Sequence, residues 1–237
     1  MAVSMIPHTA QDQTGAFRLA TGAALGLAAA LLGIVIPVLL VLIASYDPGG
    51  FVALNQAGFL EATGLFILAG ALLFIFCFLI YRNGFAHLRK VDRRFTIASV
   101  LCLVGSLGFL LILVAAVVIV GSSASLLTCI NGQPSHALSC LRSGQPLGAY
   151  TGLIGFWLGW LGGVGIVLGL SAGSSRFHNR EVGLGAAFYA LLLLVLIGPF
   201  VALVVTFPGV QYILFAVPVL ALLAPFFVYL GAGRIAP

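Results

Sequence analysis

The sequence predicts an all-α, polytopic membrane protein with six transmembrane helices and both termini cytoplasmic. Three observations predict it. Only 6% of the residues are charged and 62% are hydrophobic, whereas roughly a quarter of an ordinary soluble domain is charged. The apolar residues fall in runs that match the ~20 residues needed to cross ~30 Å of hydrocarbon. The ten Lys and Arg are concentrated in alternate loops.

Taken in order, a polar cytoplasmic tail over 1–18 precedes a first span at about 19–45. That run is much longer than the ~7–15 residues of a cleavable signal core, so it reads as a retained helix. The turn sequence Asp47-Pro48-Gly49-Gly50 follows it, and Phe51 to Leu54 would rest on the outer membrane surface. The second span covers about 57–81 and the third about 95–120; the fourth covers about 149–170, the fifth 182–206 and the sixth 211–230. The last two are separated by Phe207-Pro208-Gly209-Val210, a tight hairpin signal. Residues 232–237 form a second cytoplasmic tail, and no loop is long enough to fold alone, so 19–231 is a single domain.

Helices follow from the solvent. Lipid offers no hydrogen-bond partners, so only helices or closed barrels satisfy the backbone. Barrel strands would alternate polar and apolar residues over about ten positions, and these runs are apolar on every face.

Basic residues set the orientation. Arg18, Arg82, Arg89, Lys90, Arg93, Arg94, Arg176, Arg180 and Arg234 fall on one side, and Arg142 on the other. The richer side is read as cytoplasmic, in a cell membrane. The net charge of +5 is then a topological signal and an attraction to anionic headgroups. Short basic loops interrupted by Asp92 form no nucleic-acid-binding face. In the longest of these loops, Phe85, Leu88 and Phe95 alternate with charges, a pattern that suits an interfacial helix, an extension of the flanking helices or a solvated connector.

The remaining signals concern packing. Cys129 and Cys140 share the longest outer loop, where a disulfide is expected. Cys77 and Cys102 lie within spans and read as small packing residues. The fourth span places Gly155, Gly159 and Gly163 four residues apart, and Gly165 and Gly169 repeat the spacing. Gly22, Gly26 and Ala30 do the same in the first span. Such rows let membrane helices approach closely, which makes spans one and four the expected central helices. Trp157 and Trp160 read as interfacial aromatics. Pro37, Pro199, Pro218 and Pro225 are expected to kink their helices.

Chemistry is sparse. Glu61, about one turn inside the second span, is the candidate for an ion path; the other reading is an interfacial carboxylate favoured by the helix N-terminus. Asp12, Asp47, Asp92 and Glu181 fall in loops or tails, and His8, His87, His136 and His178 lie outside the spans. No catalytic, phosphate-binding or dinucleotide-binding motif occurs, and no histidine pair on a helix face could hold haem or zinc. The chain is therefore read as non-enzymatic, without cofactor or metal.

The stretch RNGFAHLRKVDRRFTIASVLCLVGSLG resembles an archaeal family of multi-pass membrane proteins of unknown function. Its basic loop with Gly-Phe, followed by Phe-x-Ile-small opening a Gly-containing helix, carries the resemblance, which extends over roughly Phe51 to Gly233. It implies a helical membrane protein and no site residues. The expected partners are the bilayer and other membrane subunits, or further copies of the chain, with an accessory or structural role. The alternative is a small ion or solute transporter or channel with kinked helices.

Overall fold

The computed structural model describes residues 10–39, 56–121, 146–202 and 210–235, and no strand occurs among them. Helix α1 runs over Ala10–Ala30, passes through a π turn at Leu31–Val35 and continues to Leu39. Helix α2 covers Gln56–Leu88, α3 Phe95–Gly121, α4 Pro146–Phe177, α5 Arg180–Ala202 and α6 Val210–Gly233. All six are long and apolar enough to cross a membrane. The helices outrun the expected spans at the end that carries the charges. There α1 starts at Ala10 instead of near Leu19, and α2 and α4 run on to Leu88 and Phe177.

The short turns after α2 and α4 force the helices on either side to run antiparallel, and the contacts of Gly15 with Leu88 and of Gly33 with Gly70 show the same for α1 and α2. Each helix packs on its two neighbours in chain order, and α6 returns to α1 and closes a ring. A ring has no central helix, contrary to the expectation for spans one and four. Of the six, α4 is the most enclosed, with 44% of its apolar core buried. Its glycines explain this. A Cβ on Gly155 would lie 2.7 Å from the Gly108 carbonyl oxygen of α3, and one on Gly165 would lie 2.6 Å from Leu101 Cβ. Gly159 faces the Phe109 ring of α3, Gly163 faces Leu193 of α5, and Gly169 is covered by the Phe85 ring of α2. The predicted row thus packs within the chain, on three different helices. Gly105, Gly108 and Gly162 complete the α3–α4 contact, where Gly105 and Gly162 meet backbone to backbone.

The π turn of α1 lies immediately before Pro37. Proline lacks the N–H that would bond four residues back, and its ring crowds the carbonyl there. The chain widens instead, with the Ile36 N–H donating to Leu31 O. At this turn α1 meets α2 closely: a Cβ on Gly33 would lie 3.0 Å from Gly70 Cα. Pro218 and Pro225 lie inside α6, and Pro199 lies within α5.

Nine basic residues, from Arg18 in α1 to Arg234 after α6, gather at one end of the ring, here called the basic end. Its interior is filled. Phe85, Leu88 and Phe95 are wholly buried, so the loop they belong to is largely an extension of α2. Tyr81, Phe85 and Phe95 stack in sequence, with ring centroids 6.0 Å apart at each step. Leu19, Leu170, Val182 and Val228 complete this plug.

Asn179 organises the turn from α4 to α5. His178 before it takes a left-handed backbone with φ 50°, which ends α4. Asn179 Oδ1 accepts from the N–H of Glu181 at 2.9 Å and of Val182 at 3.2 Å, capping α5. Its Nδ2 donates to Gly231 O of α6 at 3.0 Å. Asn179→Ala removes the cap and the tie to α6 together. It is expected to lower stability by about 1–2 kcal/mol, read as the unfolding midpoint in a fixed detergent. An unchanged midpoint would show that water replaces both contacts.

Candidate functional site

The two halves of the ring are packed differently. Beyond the aromatic plug, towards the far end, the side chains leave a cavity of about 270 Å³. Its floor is formed by Cys77, Phe78 and Ile166, and Tyr189 stands at its side. Its walls include Gly33 and Ile34 from the π turn, Ala71 and Phe74 from α2, Phe109 and Ile112 from α3, and Trp160 from α4. Leu192, Leu193 and Leu196 of α5 close the remaining side. The lining reaches Ile67 of α2, which is 44% exposed.

Two of the three polar side chains in the described lining are engaged by the protein. The Trp160 Nε1–H donates to Leu193 O at 3.1 Å, fixing α4 to α5. The Cys77 thiol donates to Gly22 O at 3.3 Å, fixing α2 to α1. Tyr189 places its hydroxyl beside Gly26. Below it Tyr81 Oη is buried without a hydrogen bond of normal geometry, although Tyr189 is its neighbour. Lys, Arg, Asp, Glu and His are absent from the described lining.

Among the described side chains, charge is confined to the basic end. Asp12, expected in a polar tail, is instead a buried residue in the first turn of α1. Arg176 at the end of α4 binds it with both arms, Nε to Oδ1 at 2.9 Å and Nη2 to Oδ2 at 3.1 Å. Since α1 and α4 are not neighbours in the ring, the pair spans its mouth below the aromatic plug. With Asp92, Arg94, Ser175, Phe177 and His178 it lines a polar recess of about 290 Å³. Glu181, also expected in a loop, lies in the first turn of α5, where Arg234 beyond α6 pairs with it.

The predicted site residues fare unevenly. The five glycines are brought into interhelical contacts, as described above. Glu61 falls in the early part of α2, and its side chain lies outside the described residues. Cys129 and Cys140 also lie outside them, whereas Cys77 and Cys102 are free and buried. Trp157 is exposed towards lipid, but Trp160 faces the cavity and not an interface. Among the described residues, no group of three His, Cys, Asp or Glu side chains is placed to hold a metal ion. Sequence reading missed the cavity residues, which share no motif, and the Asn179 cap, whose signal was Asn immediately before Arg180-Glu181.

Fold and site together define a helical membrane protein in which six spans form a closed ring around a one-ended apolar cavity. Comparison of the chain with family models, curated proteins and solved structures finds no match.

Proposed function

We propose that the chain is a non-enzymatic integral membrane protein that packs against other membrane chains as an accessory or structural subunit. One observation carries this reading: among the described residues, the interior offers no polar route through the ring. The basic half is filled by stacked aromatic and aliphatic side chains, and the cavity lining is apolar. An ion or polar solute would be stripped of water there without compensation. The work of the protein then lies at its outer surface, in contact with lipid and other chains. The basic end faces the cytoplasm in this reading, by the positive-inside rule, and the archaeal multi-pass family that the α2–α3 loop resembles is part of the same proposal. Extraction in mild detergent, followed by mass spectrometry of the native species, is expected to yield co-purifying subunits or a homo-oligomer. A strictly monomeric, partner-free species would overturn it.

A second reading, transport of an apolar solute, is favoured by the cavity itself. Its lining includes the exposed Ile67, the aromatic plug closes it at the basic end, and the π turn of α1 forms part of its wall. Liposome flux assays test it, with Glu61→Gln as the variant that separates an ion path from an apolar one.

A further inference from the structure

We infer that the cavity is a binding site for the hydrocarbon end of a membrane-lipid chain. The inference holds under either reading of function, because it rests on the cavity alone.

Water is a poor occupant. A buried water needs two to four polar partners, and the wall provides few. Trp160 Nε1 and the Cys77 thiol already donate to Leu193 O and Gly22 O, which leaves the Tyr189 hydroxyl as the one side-chain group of the described lining that a water could meet. An empty cavity is also unfavourable, because wall atoms facing a void lose their dispersion partners. Helices of this length and apolarity are surrounded by hydrocarbon, and the cavity lining includes Ile67 of α2, which is exposed. A lipid chain is therefore the apolar group present at highest concentration.

Size restricts what enters. The volume of about 270 Å³ exceeds the ~150 Å³ of an engineered apolar cavity that takes up benzene. It falls just below the ~300 Å³ at which ordinary small-molecule sites begin. The space suits the terminal segment of one chain and not a whole lipid. With no charged side chain in the described lining, a headgroup gains nothing by entering and stays at the mouth. The π turn that places Gly33 and Ile34 on the wall is a further pointer, since such turns recur at functional sites.

The protein has two tryptophans, of which Trp160 lines the cavity and Trp157 faces lipid. Trp157→Phe therefore leaves a single reporter inside the site, and Trp160→Phe leaves one outside it. Each is reconstituted in phosphatidylcholine vesicles containing lipid brominated at the chain terminus. The Trp160 reporter is expected to be quenched, and Ala71→Phe to reduce that quenching about twofold by filling the void. Ala71→Ile, a smaller addition, gives an intermediate effect and serves if the larger one prevents folding. Quenching of the Trp157 reporter stays unchanged by either, which shows that the fold persists. Quenching of Trp160 that is absent, or indifferent to both Ala71 variants, would overturn the site. So would saturable quenching by bromobenzene in lipid-free micelles without quenching by the brominated lipid, which would assign the cavity to small apolar molecules.

Discussion

Arg176→Ala is expected to destabilise the protein by about 3–5 kcal/mol, the range for breaking a buried pair so that one charge stays behind. Asp12→Ala should cost less, about 1–3 kcal/mol, the worth of hydrogen bonds to a charged group. The asymmetry comes from burial. The Asp12 side chain is 4% exposed and that of Arg176 is 27% exposed. Removing the guanidinium takes both of its hydrogen bonds from a carboxylate deep in the bundle, whereas removing the carboxylate leaves a guanidinium that still reaches water. Arg176→Lys should fall between them, because an ammonium cannot reproduce the two parallel bonds to Oδ1 and Oδ2. Unfolding midpoints of the three variants in one detergent give the order. Equal losses for Arg176→Ala and Asp12→Ala, or no loss in either, would mean that the clasp across the ring contributes little.

That clasp also marks the limit of what local sequence could reveal. Reading Asp12 as part of a tail follows from its polar neighbours. Its partner lies 164 residues away, and nothing within a window of α1 discloses that a carboxylate there is neutralised. The six spans were legible because lipid imposes the same demand on each of them, a long apolar run with satisfied backbone. Their ends were not, because helices extend past the membrane wherever side chains such as Phe85, Leu88 and Phe95 find a place inside the ring. Alternation with charges left a surface-lying segment, an extension of the flanking helices and a solvated connector all open, and the stacking of Tyr81, Phe85 and Phe95 decides for the extension. The cavity was illegible for a different reason. It is a missing volume, created by how five helices meet, and Ala71 or Leu193 looks in sequence like any other residue of a span. Small-residue spacing was informative but incomplete. It marked Gly155 and Gly165 as contact positions without naming the helix that approaches. Gly108, which meets Gly155, and Gly105, which meets Gly162, are three residues apart in GSLG of α3, a spacing that a search for four-residue steps passes over.

Gly108→Ala and Gly152→Ala should shift stability in opposite directions, although both place a methyl on the same pair of helices. At Gly108 the new Cβ would fall 2.6 Å from Gly155 O and 2.8 Å from the Leu158 carbonyl carbon. These are backbone atoms of α4, so no rotamer change can make room and the helices must separate. Overpacking of this kind costs about 1–3 kcal/mol, and the rigid neighbour puts Gly108 at the upper end. At Gly152 the nearest atom would be Ala115 Cβ at 3.5 Å, an ordinary van der Waals contact. There the substitution keeps the helices where they are and gains up to about 1 kcal/mol from the better helix propensity of alanine. Gly173→Ala, whose Cβ would meet the Phe177 ring at 3.8 Å and Val182 Cγ1 at 3.9 Å, both ordinary contacts, should behave like Gly152→Ala. Because dispersion between close backbones holds membrane helices together, the loss at Gly108 should extend to neighbouring contacts. Phe109, which packs on Gly159 and stacks on Phe74 with centroids 5.0 Å apart, would be displaced with it. Unfolding midpoints of the three variants in the same detergent provide the measurement. A Gly108→Ala protein as stable as Gly152→Ala would show that α3 and α4 do not meet through these glycines.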